Sequence, residues 1–174
     1  MARIEVAPSG RESPFGEDEI IVSKTDLKGR ITYANDVFLR VSAYSLNEVV
    51  GAPHSIIRHP EMPRCVFKLF WDTIAAGKEI FAYVLNMASN GDHYWVFAHV
   101  TPTFDASGHA VGYHSNRRKP DEAQIAAIAP LYRSLWEMEQ GARGRKDGMR
   151  EASERLNSFL AEKGVAYDRF VFSL

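Results

Sequence analysis

The residues with the clearest capacity for chemistry lie in the short run Arg58-His59-Pro60-Glu61. Pro60 and Pro63 bracket an irregular stretch here, where polar side chains can face a pocket. The guanidinium of Arg58 can fork onto a phosphate or a carbonyl group, and the ring of His59 can donate a hydrogen bond or stack on a ligand. The competing interpretation is a surface ion pair between Arg58 and Glu61, with the prolines only shaping the turn.

Asn86 is a second candidate, because it lies on a predicted strand and shares a face with Ile80, Ala82 and Val84. If that face points inward, its carboxamide can both donate to and accept from the polar edge of a ligand. The alternative is an asparagine that only satisfies main-chain groups at the end of the strand. Asn35 follows an earlier strand, and we expect it to cap the helix that comes next.

Two tryptophans and two histidines complete the set of candidates. Trp71 lies on the apolar stripe of a predicted helix, so it is either core or one wall of a pocket. Trp95 lies on a strand of aromatic and β-branched residues, where packing is the commoner role. His54 and His59 are the candidate axial ligands if a haem is bound. The chain has no CxxCH motif, so such a haem would be non-covalent.

Composition and charge argue against several classes of partner. The chain has 174 residues, 45% of them hydrophobic and 25% charged, which suits one domain with an extension. A net charge of -1 predicts no nucleic-acid partner. No apolar run reaches the roughly 20 residues of a membrane span, so we expect no membrane insertion. Cys65 is the single cysteine and no signal peptide is present, which favours the cytoplasm.

Motifs of catalysis are missing from the sequence. It contains no HExxH, paired CxxC, GxSxG, Walker or GxGxxG motif, so we predict neither a metal site nor an enzyme. It also carries no recognisable output domain. A signal is therefore expected to leave through protein contacts, in a homodimer or with a docked partner.

The elements of the first half follow from periodicity and turn residues. Strands are predicted over residues 20–24 and 31–34, joined as a hairpin. Short helices come next, and one of them begins with a capping box made by Ser45 and Glu48. Residues 64–76 have the apolar spacing of a longer helix.

The second half of the core is rich in strands. We predict them over residues 79–88, 93–104 and 110–116, and Asn90-Gly91 between the first two is a strong hairpin signal. Five antiparallel strands with short helices on one face make an α+β layer. The sequence therefore predicts an α+β fold.

Helical periodicity returns near the C-terminus. We predict an N-terminal arm or cap over residues 1–18, a core over 19–119, and a helical extension with a terminal tail over 120–174. Pro130 is expected to kink or restart the first of these helices. Residues 170–172 could form a short edge strand or pack as a tail. The apolar stripes of the extension suit packing on the sheet or pairing with another chain.

Several blocks in this order resemble PAS domains, most closely the sensor domain of bacterial aerotaxis receptors. The resemblance covers about residues 20–136, and the run Ile57-Arg58-His59-Pro60-Glu61-Met62-Pro63 is its most specific block. It implies a PAS fold with residues 19–119 as the PAS core. The other blocks are Thr25-Asp26-Leu27, Ile31-Thr32-Tyr33-Ala34-Asn35-Asp36, Val41-Ser42-Ala43-Tyr44, Gly51-Ala52-Pro53-His54, Asn90-Gly91-Asp92-His93-Tyr94-Trp95-Val96 and Pro130-Leu131-Tyr132.

The resemblance also implies a cofactor. The aerotaxis-type sensors bind FAD without covalent attachment and report redox state or oxygen to a signalling partner, such as a chemoreceptor or a kinase. It implies that Arg58, His59 and Glu61 hold the FAD, although the family usually has Asp where Glu61 stands. Flavin-binding relatives also use an Asn at the place of Asn86 to contact the ring.

Three further positions follow from the same resemblance. The sensors usually carry a tryptophan where Ile80 stands, so a stacking surface and a hydrogen-bond donor are lost here. His54 stands where relatives that form a cysteinyl adduct with flavin carry the reactive cysteine, which excludes that photochemistry. The family marks Asn35 as important to signalling, while capping explains it independently.

The expected function is therefore a cytoplasmic PAS sensor of redox state or oxygen. FAD is the first choice of cofactor, and a smaller flavin, haem or no cofactor are the alternatives. The competing functions are a cofactor-free PAS adaptor for protein–protein contacts and a haem-binding oxygen sensor.

Overall fold

The computed structural model describes residues 6–174. Over that range five strands form one antiparallel sheet with the spatial order β2-β1-β5-β4-β3. This confirms the predicted α+β class and the five-stranded sheet. The strands are β1 (Ile21–Thr25), β2 (Ile31–Ala34), β3 (Ile80–Met87), β4 (His93–Phe104) and β5 (Ala110–Arg118).

Helices fill the connections and the C-terminal third of the chain. The long connection between β2 and β3 contains three α-helices and a short 3-10 helix over His54–Ile57, while three more α-helices follow β5. The helices are α1 (Asp36–Ser42), α2 (Leu46–Val49), α3 (Arg64–Ala75), α4 (Glu122–Gly141), α5 (Arg145–Lys163) and α6 (Tyr167–Phe172). Pro130 lies inside α4, which runs on past it to Gly141.

Strand alternation separates two faces of the sheet. On β3 the buried residues Ile80, Ala82, Val84 and Asn86 share the inner face, as the sequence predicts. The outer face of β3 and β4 carries aromatic residues, including Trp95, that the C-terminal helices partly cover. The inner face and α3 therefore enclose one layer of the molecule, and α4 to α6 add another.

Glycine is required where the chain passes close to other groups. Gly29, in the turn between β1 and β2, has a φ of +75°, and a Cβ there would lie 2.8 Å from the ring of Trp71. Gly148 lies within α5, and a Cβ there would lie 2.6 Å from the carbonyl oxygen of Glu139. These two glycines allow α3 to approach the hairpin turn and α5 to approach α4.

The free edge of β3 is covered by the segment that precedes α3. The main chain of Arg58 bridges to Asn86, and the amide of Leu85 donates to the sulfur of Met62 at 3.4 Å. The C-terminal residues do not extend the sheet. They form α6 instead of the short edge strand that the sequence left open, and α6 packs beside β3, where the hydroxyl of Tyr83 donates to the carbonyl of Val171 at 3.4 Å.

The described part of the N-terminal arm, residues 6–18, packs along the β3–β4 hairpin. The amide of Ser13 donates to the carbonyl of His93 at 2.8 Å, and the amide of His93 donates to the carbonyl of Arg11 at 2.8 Å. Phe15 is buried in the core. These contacts pack the described residues against the hairpin, and the role of the segment as an arm or a cap stays a prediction. Residues 1–5 of the predicted arm lie outside the described residues, and the three predicted boundaries stay predictions.

Candidate functional site

A cavity of about 210 Å³ lies between the inner face of the sheet and the helical layer. Its walls come from β1, β3, β4 and β5 on one side and from α3 and the 3-10 helix on the other. Its mouth includes the exposed residues Lys28, Pro53 and Ser55. The apolar part of the lining is made by Ile57, Phe67, Phe70, Trp71, Ile74, Val84, Ala98 and Val100.

Arg117 on β5 is the buried charge of this cavity, with only 3% of its surface exposed. Its Nη2 donates to the hydroxyl of Ser23 and to Nε2 of His54, both at 2.7 Å. Because a guanidinium only donates, Nε2 of His54 must be the acceptor, so the ring is neutral with its proton on Nδ1. Burial, and then the charges of Arg117 and Arg58, hold the pKa of His54 well below its usual value.

Several polar atoms of the cavity are buried without a hydrogen-bond partner. Among the described residues these are Nη1 of Arg117, Oγ of Ser115, Oγ1 of Thr25 and Nε of Arg58. Buried polar groups in native proteins are nearly always partnered, and leaving one unpaired costs about 1–3 kcal/mol. Their convergence on one cavity is the arrangement expected of a site whose partners come from a ligand.

Arg117 stays positively charged although it is buried. Burial lowers its pKa to about 10, because the charged form is poorly solvated there. At neutral pH the guanidinium is still protonated. The cavity therefore holds a full positive charge next to the neutral ring of His54.

Arg58 forms the other polar end of the cavity. Its guanidinium lies over the ring of Phe67, with 3.9 Å between the guanidinium carbon and the ring centroid. Its pKa is lowered, first by burial and then by the charge of Arg145, while Glu139 acts in the opposite direction. Its main-chain bridge to Asn86 places it beside β3.

Three of the predicted site residues line this cavity together. Arg58, Asn86 and Trp71 come from the segment before α3, from β3 and from α3 itself. Asn86 is 3% exposed, and its side chain points inward as expected. The ring of Trp71 packs edge-on against Tyr113 at 5.8 Å between centroids. Whether these side chains bind a cofactor stays a prediction that their positions support.

His59, Glu61 and Asn35 do not line the cavity. His59 is buried, and its Nδ1 accepts from the amide of Glu61 at 3.1 Å, while Glu61 itself is exposed. The side-chain oxygen of Asn35 accepts from the amides of Phe38 and Val22, both at 3.0 Å. It thus caps α1, as expected, and ties the helix to β1. The predicted cofactor contacts of all three lack support from these positions.

Ile80 and Trp95 also lie outside the cavity lining. Ile80 is a buried core residue of the inner face, opposite Val100. Trp95 lies on the outer face, where it stacks on Tyr132 of α4 with 6.1 Å between ring centroids. It borders a separate cavity of about 140 Å³ that Glu61 also borders. Direct cofactor contact by either residue stays an unsupported prediction.

Sequence reasoning missed the residues of β1 and β5 that hold the positive end of the cavity. Tyr113, Ser115 and Arg117 alternate along β5 and face inward. The available signal was a strand whose inward-facing positions include a hydroxyl and a guanidinium, where a core strand would have apolar residues. Their partner His54 was considered as a haem ligand and as the residue in place of a reactive cysteine, yet its Nε2 accepts a hydrogen bond from Arg117.

A second buried charge joins the cavity wall to the C-terminal helices. We call Glu139, Arg64 and Cys65 the Glu139 cluster. The carboxylate of Glu139 on α4 accepts from the amide of Cys65 at 2.8 Å and from the amide and Nε of Arg64 at 3.0 and 2.9 Å. It thereby caps α3, which begins after Pro63 without a side-chain cap of its own.

Cys65 is an unreactive member of this cluster. Its side chain is buried, and burial followed by the charge of Glu139 raises the pKa of its thiol to about 12. Almost no thiolate is therefore present at neutral pH. Cys65 is thus a small buried hydrophobic residue.

The described residues contain no group of three or more histidine, cysteine, aspartate or glutamate side chains placed to hold a metal ion. Within residues 6–174, no helix has both the length and the apolar character needed to cross a bilayer.

Comparisons with known proteins agree with this architecture. The family model of the PAS fold matches residues 31–117. The aerotaxis receptor of Escherichia coli (strain K12) is 42% identical over 125 residues, which are 72% of this chain and 24% of the receptor. A nitrogen fixation regulatory protein of Klebsiella pneumoniae is 27% identical over 99 residues, 57% of this chain and 20% of that protein.

Solved structures give the same result. The light-state structure of the LOV domain of the blue-light photoreceptor Aureochrome1 has a TM-score of 0.57 at 26% identity, covering 63% of this chain and 88% of that one. The fold is thus that of a class of sensor domains. The chain belongs to the PAS fold family. Within that family it is a PAS sensor domain related to the aerotaxis receptor, and it spans about a quarter of that receptor.

Proposed function

We propose that this chain is a cytoplasmic PAS sensor of redox state or oxygen, which binds a flavin non-covalently and is not an enzyme. The observation that carries the proposal is the inner cavity with its four unpartnered buried polar atoms. The similarity to the aerotaxis receptor supports the same function. FAD is the cofactor that we propose first.

The chemistry of the cavity suits a flat ring with polar edges. Trp71, Phe67 and Val84 offer apolar walls, while Arg58 and Asn86 offer hydrogen-bonding groups. A bound flavin would supply reversible electron transfer, and these residues would bind and orient its ring and keep water away from it.

The cavity is too small to enclose a whole dinucleotide. At about 210 Å³ it lies below the roughly 300–1,000 Å³ of pockets that enclose drug-sized ligands. A ring system can be enclosed, and the remainder of FAD would then lie at the mouth beside Lys28. FMN is the smaller alternative with the same ring.

A route for the signal leads from the cavity to the C-terminal helices. Phe67 and Trp71 on α3 are walls of the cavity, and the first turn of α3 is held by Glu139 of α4. A change in how the ligand is bound would move α3 and, through this cap, the docking of α4. A homodimer, a chemoreceptor or a kinase would receive the signal through protein contacts.

The absorption spectrum of freshly purified protein is the first test. Flavin bands in the blue support the proposal, and their loss in Asn86→Leu would identify Asn86 as a contact. Asn116→Leu is the matched control, because Asn116 lies on β5 but outside the cavity lining. A Soret band would instead identify the cofactor as haem. Nε2 of His54 is poorly suited to ligate a haem iron, because it already accepts a hydrogen bond from the Arg117 guanidinium.

Hydrogen exchange tests the route. We expect oxidised and reduced protein to differ in protection between residues 110 and 140, which include β5 and most of α4. Identical protection there would contradict the proposed movement.

A cofactor-free PAS adaptor is the second candidate. The observations that favour it are the modest volume of the cavity and the isoleucine at position 80. A well-folded protein that is colourless and does not take up added flavin would support the adaptor.

A further inference from the structure

Within residues 6–174, the positive charge of Arg117 has no counter-ion. Among the described residues, no carboxylate lies within 4.0 Å of its guanidinium, and none lines the cavity. The charged residues of the lining are Arg117, Arg58 and Lys28, all of them cations. Buried charges in proteins are ordinarily paired or bound to a ligand.

The donor of Arg117 that has no partner in the described part of the chain is as informative as the charge. Nη2 of Arg117 is used by Ser23 and His54, whereas Nη1 has no partner. The hydroxyls of Ser115 and Thr25, on the two paired strands β5 and β1, are also free and line the same cavity. The three groups together make a donor set suited to an oxyanion.

The neighbours of Arg117 reinforce this preference. His54 is held neutral as an acceptor and brings no negative charge. The ring of Phe38 lies 5.7 Å from the guanidinium and provides a weak electrostatic contact only. No group in residues 6–174 therefore neutralises Arg117, and a neutral ligand would leave its charge buried and unpaired.

We propose that the cavity selects an anionic ligand, and that a carboxylate or phosphate group binds Arg117, Ser115 and Thr25. This inference rests on the proposed function for the use of the cavity as a ligand site, but not on the identity of the ligand as a flavin. The phosphate of a nucleotide cofactor and the carboxylate of a small organic acid would satisfy the same donors.

Benzoate and benzamide test the charge at nearly constant shape. We expect the full chain, freed of any bound chromophore, to bind benzoate at least tenfold more tightly than benzamide in calorimetric titrations. In Arg117→Met that preference is lost, because the methylene volume stays while the charge is removed. In Arg118→Met, the matched control with the same change of net charge, it is kept, since Arg118 is exposed and does not line the cavity.

Three results would overturn the proposal. They are equal affinities of the wild type for the two probes, no response to benzoate, and an undiminished preference in Arg117→Met. If Arg117→Met does not fold, Ser115→Ala replaces it, and its preference for benzoate should fall by about fivefold to tenfold with one hydrogen bond lost. An unchanged preference in Ser115→Ala would then count against the site.

A second pair of ligands identifies the source of the anion. A preference for FMN over riboflavin that Arg117→Met removes would assign the site to a phosphate. Equal binding of FMN and riboflavin, with the benzoate preference intact, would assign it to a carboxylate. A protein that never takes up flavin but prefers benzoate would contradict the proposed cofactor and leave the anion site standing.

Discussion

The cavity around Arg117 and the Glu139 cluster both bury a charge, yet they treat it in opposite ways. Glu139 has a side chain that is 1% exposed, and its carboxylate accepts from Arg64 and from two main-chain amides. Arg117 is 3% exposed, and in the described part of the chain its side chain hydrogen-bonds only to the neutral partners Ser23 and His54, while Nη1 has no partner. Glu139 has a counter-ion and hydrogen-bond donors within the described chain, whereas Arg117 has no counter-ion there.

This difference in partners distinguishes a buried charge with a structural role from a buried charge suited to ligand binding. A buried charge whose hydrogen bonds are all made by the chain holds elements together, here α3 and α4. A buried charge without a counter-ion reduces the stability of the empty protein, and it persists where a ligand completes it. Removing the two charges should therefore change stability in opposite directions.

The largest effect is expected for Glu139→Ala. The substitution leaves the guanidinium of Arg64 and two amides of α3 without their acceptor, which costs about 3–5 kcal/mol in the free energy of unfolding. For a chain of 174 residues the melting temperature should fall on the order of 10 °C. Urea unfolding followed by circular dichroism measures the free energy of unfolding, and a thermal melt gives the melting temperature.

Glu137→Ala is the control for that change. Glu137 lies on the same helix but pairs only with Arg133 on the exposed surface, so its loss should leave the midpoint unchanged. Equal effects of the two substitutions would contradict the structural role given to the Glu139 cluster.

The next effect has the opposite sign. In ligand-free protein Arg117→Met should raise the free energy of unfolding by about 1–4 kcal/mol, because a charge without a counter-ion is replaced by an apolar side chain. The hydroxyl of Ser23 and Nε2 of His54 lie 3.2 Å apart and can pair with each other in the variant. Thermal melts without ligand test this, and a clear loss of stability would break the comparison.

The smallest effect is a dependence on pH. The pKa of His54 is held well below its usual value by burial and by Arg117 and Arg58, and burial also lowers the pKa of His59. Below about pH 6.5 the unfolded chain binds protons that the native state does not, so stability falls on acidification by up to about 1.4 kcal/mol per pH unit for each histidine. It recovers as the pH returns to neutral.

Urea midpoints at pH 7.5 and pH 5.5 measure this slope. His54→Gln should reduce the slope, while His109→Gln should not, since His109 is exposed in the turn before β5. A slope that is the same in both variants would assign the pH dependence to other groups.

Much of the fold was predictable because the signals are local. The Asn90-Gly91 turn, the alternation along β3 and the capping box of Ser45 and Glu48 each act within a few residues. The last element was harder. Residues near Phe170 form α6, whose buried Phe170 and Val171 pack against parts of the fold that are distant in sequence.

The site was predictable in part. Arg58, Asn86 and Trp71 could be placed at the cavity from their residue types and from the resemblance to PAS sensors. The same reasoning also proposed His59 and Trp95, which share the right blocks of sequence but lie outside the cavity lining. A motif says which residues are near a site, whereas the direction of each side chain follows from packing.

By itself the sequence determined the class of fold, the strand faces and the family, because periodicity and turn chemistry act over short distances along the chain. Only the tertiary structure decided which buried charges have partners. Arg117 meets Ser23 and His54 across separations of 94 and 63 residues, and Glu139 meets Arg64 across 75. Packing brings such residues together. If a counter-ion is among them, the buried charge stabilises the fold, and if none is, the charge is suited to bind a ligand.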